Sequence, residues 1–197
     1  MGAQNAIMAN IQPSLGKWLP VALMVGVLAG LSVLLTLQAG AVYGGWLAAP
    51  WVLFISWGGW FSVGAKFSRL PKYVAALTGG VVFGWLTLVV NGYLTAALGP
   101  VWGLPTTVFF AATAIVLLEL TSFLELAFIY FLSYAGYFAY VFGGFSGTAN
   151  IVQNAIYFWI LLLIGVGFGV ANILLKNKIL NIERIPWDQR NTVYDKE

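Results

Sequence analysis

Long apolar runs separated by short turns fill most of the chain, from about residue 18 to residue 175. Among 197 residues, 8% are charged, whereas a soluble domain carries about 25%. So few charges cannot cover a water-soluble surface. A helix needs about 20 apolar residues to cross the hydrocarbon layer of a bilayer. The chain is therefore predicted to be an all-α integral membrane protein with six transmembrane helices. Its expected partner is the lipid bilayer that surrounds these helices.

Glycine, proline and charged turns delimit the predicted spans. A short cytoplasmic segment covers 1–17, the six-helix domain covers 18–175 and a polar cytoplasmic tail covers 176–197. The boundary between the fourth and fifth spans is the least obvious one, because the apolar sequence is nearly continuous there. Ser122 and Glu125 form a capping-box pattern there, which predicts that the fifth helix begins at about Phe123. The six spans are predicted over about 18–38, 46–64, 73–97, 105–120, 123–142 and 151–175.

Basic residues set the expected orientation. With six spans, Lys17, the loop containing Lys66, Arg69 and Lys72, and the tail all fall on one side of the membrane. The loops on the other side carry no lysine or arginine, so the positive-inside rule places both termini in the cytoplasm. The pI of 9.2 is explained by this topology, and no nucleic acid partner is expected.

The second half of the chain repeats the first. Because each copy has three spans, the second enters the membrane from the opposite side, as in the inverted repeats of many transporters. The copies cover about 18–98 and 103–175. Their matching segments, in order along the chain, are Leu19-Pro20 with Leu104-Pro105, segment 56–62 with segment 133–139, and Gly80-x-x-Phe83-Gly84 with Gly165-x-x-Phe168-Gly169.

Small and aromatic residues alternate at helical spacing in the second and fifth spans. One interpretation is close helix packing, because a small residue beside a large ring lets two helices approach. The other is a narrow transport pathway, in which hydroxyl groups and ring faces replace part of a solute's hydration shell. The candidate pathway residues in these two spans are Ser56, Trp57, Trp60, Ser133, Tyr134 and Tyr137.

Three Gly-x-x-x-Gly patterns predict helix packing within the protein or between subunits, because glycine lets two backbones come into van der Waals contact. We therefore expect a homo-oligomer. The glycines are Gly26 and Gly30 in the first span, Gly80 and Gly84 in the third, and Gly165 and Gly169 in the sixth.

Two carboxylates lie among the spans. Glu125 is explained by the capping box. Glu119 lies late in the fourth span, where a carboxylate is costly and is a functional candidate by default. As a pathway residue it could bind a cation or carry a proton; alternatively its side chain reaches the cytoplasmic headgroups.

The chain lacks the residue types that most often serve in catalysis and in metal binding. The chain has no histidine and no cysteine, so thiolate nucleophiles, disulfides and most transition-metal sites are excluded. A serine nucleophile needs a basic partner, and every lysine lies near the end of a span. No enzymatic activity, cofactor or metal is expected.

The segment 50–61 (PWVLFISWGGWF) and a second block at about 131–144 have a glycine and aromatic texture that resembles a known family. It is the family of bacterial inner-membrane proteins of unknown function that includes YcdZ. The resemblance covers most of 19–175 and implies a small multi-pass protein of the bacterial inner membrane. It implies no substrate and no functional residues.

Two functions are consistent with these features. The first is a small-solute channel or transporter, whose substrate is a small neutral or weakly cationic molecule because the spans carry little charge. Its path would lie near the aromatic motifs of the second and fifth spans. The alternative is a non-transporting membrane subunit or scaffold that docks a partner through its small-residue helix faces.

Overall fold

Residues 15–180 form six α-helices joined by turns and by single-turn 3-10 helices. A computed structural model describes residues 15–180, and within that range it contains no strand, which confirms the all-α prediction. The helices are α1 (Leu15–Tyr43), α2 (Pro50–Ser62), α3 (Leu70–Leu98), α4 (Gly103–Leu117), α5 (Ala127–Phe142) and α6 (Ile151–Leu180).

The capping-box prediction for the fifth helix is wrong. Helix α5 begins at Ala127, after an N-cap residue, Leu126, that makes no side-chain capping bond. The Glu125 carboxylate instead accepts from Lys72 Nζ, with Oε1 at 2.9 Å. A charged donor gives a stronger bond than a backbone N–H, so the carboxylate turns toward α3.

The ends of the chain differ from the predicted division. Helix α6 continues to Leu180, so residues 176–180 of the predicted tail are helical. Helix α1 already begins at Leu15, within the predicted lead segment. The rest of the 1–17 segment and of the 176–197 tail lies outside the described residues.

The apolar helices make this a membrane protein, and the helical stretches differ in length, with α4 extended by the 3-10 turn Leu118–Leu120. Four helical stretches are long and apolar enough to cross a bilayer: Trp18–Tyr43, Phe67–Leu98, Gly103–Leu120 and Ile151–Leu180. Helix α2 has 13 residues and α5 has 16. At 1.5 Å per residue they span about 20 and 24 Å, which is less than the hydrocarbon layer.

The two short helices pack in the middle of the bundle, each along a long one. Helix α2 packs mainly on α6, and α5 packs mainly on α3, while α1 and α4 lie at the periphery. Gly165 faces Ser56 and Gly169 faces Trp60, so residue numbers rise together and α2 runs parallel to α6. By the same reasoning α3 and α5 are parallel, because Gly80 faces Ser133 and Gly84 faces Tyr137.

Aromatic side chains dominate the core between these helices. Their hydroxyl groups bond to backbone carbonyls, which removes the cost of burying them. Tyr137 Oη donates to the Ile151 carbonyl over 3.1 Å, and Tyr140 Oη donates to the Trp46 carbonyl over 3.0 Å. The largest fully buried side chains are Trp60, Tyr73, Tyr130, Tyr137, Tyr140 and Phe158.

Basic side chains collect at one end of the bundle, here called the basic end. Parallel packing brings the carboxyl ends of α2 and α6 together there. Arg69 Nη1 donates to the Val63 carbonyl over 2.9 Å, just beyond the last turn of α2. Lys176 Nζ lies 4.8 Å from the centre of the Trp18 ring. Positive charge beside the carboxyl end of a helix is favourable, because the helix dipole is negative there.

Candidate functional site

The serines of the two aromatic motifs lie at two equivalent helix crossings. Ser56 on α2 packs against Gly165 on α6, and Ser133 on α5 packs against Gly80 on α3. A Cβ at Gly165 would overlap Ser56 Oγ and lie 2.7 Å from Leu53 Cα. Only glycine permits backbones to approach this closely.

One turn further along, aromatic rings replace the serines. The position of a Cβ on Gly84 lies 2.6 Å from Tyr137 Cδ1, and that of a Cβ on Gly169 lies 3.2 Å from Trp60 Cδ1. Trp57 also borders Gly169, at 3.4 Å from the same Cβ position. Each crossing therefore has the same order of contacts: glycine on serine, then glycine on an aromatic ring.

A third pair of contacts links α2 with α5. The Cβ position of Gly59 lies 3.1 Å from Leu132 Cδ2, and that of Gly136 lies 3.0 Å from Ile55 Cδ1. The two glycines occupy matching places in the segments 56–62 and 133–139. A glycine of α2 thus contacts an apolar side chain of α5, and the matching glycine of α5 contacts an apolar side chain of α2.

The predicted pathway residues divide between the two crossings. Trp57 and Trp60 accompany Ser56 in the α2–α6 interface, and Tyr134 and Tyr137 accompany Ser133 in the α5–α3 interface. The serine hydroxyls bond to carbonyls of their own helices. These residues are buried in the two helix interfaces.

Glu119 lies apart from both crossings. It is exposed, in the single 3-10 turn Leu118–Leu120 that follows α4. Because α4 runs antiparallel to α3, with Gly103 beside Thr95, this turn is at the basic end. That position agrees with the interfacial alternative for this carboxylate.

The first Gly-x-x-x-Gly pattern does not lie in a helix crossing among residues 15–180. Gly26 and Gly30 are both exposed on α1, and a Cβ on either would meet no atom within 4 Å. They differ in this from the glycines of α3 and α6, which are buried in helix crossings. Within residues 15–180, these two glycines have no packing partner.

An apolar groove runs along the surface between α2 and α5. Its volume is about 270 Å³. Small residues on its α2 side leave space beside bulky ones on α5. The lining residues are Phe54, Ile55, Gly58, Gly59, Ser62, Phe128 and Leu132.

Several buried side-chain polar atoms have no hydrogen-bond partner among the described residues. The donors among them are Trp51 Nε1, Trp60 Nε1, Trp85 Nε1 and Asn172 Nδ2. Trp60 is fully buried and Asn172 is 3% exposed. Sequence reasoning did not select Asn172, although an asparagine within an apolar span is a signal that could have found it.

Within residues 15–180 no three histidine, cysteine, aspartate or glutamate side chains come together as metal ligands. The described acids, Glu119 and Glu125, lie in the turn after α4 and just before α5. The polar groups of the interfaces are hydroxyls, amides and indole nitrogens, which can orient a small polar molecule through hydrogen bonds.

A family model described as "Protein of unknown function (DUF1097)" matches residues 22–177, which include nearly all of the six helices. The chain belongs to this family. No curated protein and no solved structure matches the chain. Membership of the DUF1097 family names no activity, so the proposed function rests on the contacts described above.

Proposed function

We propose that the chain is a small-solute channel or transporter, built from two inverted halves and assembled as a homo-oligomer. The observation that supports this most directly is the exchange of contacts between the halves. The pair Ser56 and Gly165 corresponds to the pair Ser133 and Gly80. In both pairs the serine is on the middle helix of one half, and the glycine is on the last helix of the other half.

Six crossings explain the directions of the packed helices. If successive helices cross in alternate directions, the second and sixth are parallel, as are the third and fifth. The packed pairs α2 with α6 and α3 with α5 are both parallel, as this alternation requires. Two inverted three-helix halves require the short helices α2 and α5 to cross too, with buried turns completing the passage through the membrane.

The proposed orientation places the basic end in the cytoplasm of a bacterial inner membrane, as in the YcdZ-containing family that the sequence resembles. Lys66, Arg69, Lys72 and Lys176 would then face the cytoplasm, in agreement with the positive-inside rule. Both termini would lie on that side.

The solute path adjoins α2 and α5. These helices are short, central and flanked by the two interfaces that contain Ser56 with Trp57 and Trp60, and Ser133 with Tyr134 and Tyr137. Substrate sites in inverted-repeat transporters lie where the halves meet near the midplane. In the packed arrangement Ser56 and Ser133 are covered by glycines, so passage requires α2 or α5 to move relative to its long partner. The few charges near this region favour a small solute that is neutral or weakly cationic.

Exposed small residues support assembly. A Cβ at Gly26 or Gly30 would meet no atom of residues 15–180, and the outer faces of α2 and α5 expose Gly58 and Ala135 at matching positions of the repeat. Small residues on a lipid-facing helix allow another helix to approach closely. The same observation favours the second function, a non-transporting subunit that docks a partner through these faces.

The two functions are separated by reconstitution. Purified protein in liposomes is tested for uptake of urea, ammonia, small amides, polyols and monovalent ions, and for ionic conductance. Transport predicts that at least one solute enters faster than in empty liposomes. A matched preparation carrying Gly165→Leu, which separates α2 from α6, should lose that excess flux. If every solute enters at the same rate as in empty liposomes, the transport function is refuted and the docking function is favoured.

A further inference from the structure

Each of the two short helices is anchored at its carboxyl end by a hydrogen bond. Arg69 Nη1 donates to the Val63 carbonyl, just beyond the last turn of α2, over 2.9 Å at the basic end. Tyr137 Oη, in the second half of α5, donates to the Ile151 carbonyl over 3.1 Å. Helix α6 begins at Ile151, so this second bond lies at the opposite end of the bundle, here called the far end. The carboxyl ends of α2 and α5 are therefore anchored at opposite ends of the bundle.

An ion pair joins the amino end of α5 to α3 at the basic end. Lys72 Nζ, in the first turn of α3, lies 2.9 Å from Glu125 Oε1 and also donates to the Ser122 carbonyl. Ser122 and Glu125 belong to the turn that leads into α5. The side chain of Lys72 is 30% exposed and that of Glu125 is 10% exposed, so solvent and salt reach the pair in part.

Two stacked aromatic rings join the amino end of α2 to α6 at the far end. Trp46 lies in the turn that leads into α2, and Tyr157 lies in the second turn of α6. Their ring centroids are 4.3 Å apart, and the two ring planes differ by 14°. A stacked pair of this kind adds attraction beyond the burial of its area. The amino end of each short helix is thus held against its long partner by a side-chain contact.

The two contacts occupy equivalent places in the two halves. Tyr157 follows Lys72 by the same interval along the chain that separates Gly165 from Gly80. Each of the two residues precedes its glycine by about two helical turns, which is about 12 Å along the helix. The contact is charged at the basic end and uncharged at the far end, although both hold the same part of a helix pair.

We propose that these two contacts are latches that open in turn, the ion pair of Lys72 with Glu125 at the basic end and the stack of Trp46 on Tyr157 at the far end. When one latch opens, the short helix pivots about its anchored carboxyl end and uncovers its serine–glycine crossing from one side of the membrane. The other latch stays closed, so access alternates between the sides, as in inverted-repeat transporters. This inference depends on the proposed function only for the claim that the motion serves transport.

Thiol labelling tests each latch separately. The chain has no cysteine, so an introduced one is a unique reporter. Ala127→Cys reports on the start of α5 and Ala49→Cys on the start of α2, because these alanines are 4% and 0% exposed. The rate of reaction with N-ethylmaleimide, measured by mass spectrometry on the purified protein in micelles, then follows the fraction of molecules in which that helix end is open.

Breaking one latch should affect only its own reporter. Lys72→Met should raise the labelling rate of Ala127→Cys by about fivefold, the factor that a partly exposed ion pair supplies, and leave that of Ala49→Cys unchanged. Lys178→Met is the matched control, because it removes an equal charge from an exposed position in the last turn of α6.

Tyr157→Leu should have the opposite selectivity and raise the labelling rate of Ala49→Cys alone. Its matched control is Phe109→Leu, which removes one ring of the exposed pair of Phe109 with Phe110.

Salt provides a second measurement that needs no latch substitution. Raising the salt from about 0.1 M to about 1 M screens the ion pair but not the stacked rings. Labelling of Ala127→Cys should therefore accelerate, whereas labelling of Ala49→Cys should not. If Lys72→Met fails to fold, this measurement decides. Acceleration of both reporters together, or of neither, would overturn the inference.

Flux through proteoliposomes separates the latches from the proposed function. The double variant Lys72→Cys with Glu125→Cys is bridged by a bifunctional thiosulfonate, which keeps the latch at the basic end closed. Solute flux should stop and should return after reduction. Selective labelling without flux of any solute keeps the latches and refutes transport. Flux that continues in the bridged protein keeps transport and refutes the latches.

Discussion

The contact between Gly165 and α2 gives the most sharply defined test of the packing. In Gly165→Ala the added Cβ would overlap Ser56 Oγ and lie 2.7 Å from Leu53 Cα. Because the Leu53 contact is with the backbone, a change of side-chain rotamer cannot relieve it. The helices α2 and α6 must separate or shift along each other.

The magnitude follows from two opposing terms. Overpacking of a tight interface costs about 1–3 kcal/mol, and replacing a helical glycine by alanine gains about 1 kcal/mol of helix propensity. Gly167→Ala is the matched control two residues away on the same helix. Gly167 is exposed and a Cβ there meets no atom within 4 Å, so only the propensity gain remains. Gly165→Ala should therefore be less stable than Gly167→Ala by about 1–3 kcal/mol.

The assay is denaturant unfolding of the purified variants in mild detergent micelles, followed by tryptophan fluorescence. Adding Ser56→Ala to Gly165→Ala should restore only part of the loss, since the Leu53 backbone still obstructs the Cβ. Equal stability of Gly165→Ala and Gly167→Ala would refute the close approach of α2 and α6. Full rescue by Ser56→Ala would show that the serine alone limits the distance.

Three further outcomes are expected. Gly30→Leu should leave the unfolding midpoint of the protomer unchanged but lower the oligomer mass measured by light scattering, and an unchanged mass would exclude α1 from the subunit interface. Lys72→Met should destabilise the protein by roughly 1 kcal/mol through loss of the partly exposed ion pair with Glu125, as measured by denaturant unfolding. High salt screens this pair in the wild type, so it should reduce the difference in unfolding free energy between the wild type and the variant. A reporter fused after Glu197 should read cytoplasmic, and a periplasmic signal would refute the six crossings.

Much of the helical architecture could be predicted from the sequence. Apolar runs and Gly or Pro turns locate all six helices, because span length and turn chemistry are local properties. The start of α5 was missed by four residues, since a capping-box pattern does not reveal that a lysine on another helix competes for Glu125. The 13-residue length of α2 and the 16-residue length of α5 also did not follow from hydropathy, because the turns beside them are apolar too.

The candidate site was only partly visible in the sequence. Ser56, Trp60, Ser133 and Tyr137 were selected by their helical spacing, yet spacing along one helix cannot say which helix lies opposite. The partner glycines were selected as well, but as packing motifs of their own. Asn172 was missed because a single asparagine has no periodicity, and its importance arises only from the lack of an acceptor around it.

The sequence by itself determined that the chain is a helical membrane protein, since so few charges allow no other solvent than lipid and a backbone in lipid must satisfy its own hydrogen bonds. Its repeated motifs also predicted two related halves. Only the tertiary structure decided that Ser56 meets Gly165 and Ser133 meets Gly80, because contacts between helices depend on how distant segments fit in three dimensions. The same fit buries Trp60 Nε1 and Asn172 Nδ2 without an acceptor among residues 15–180.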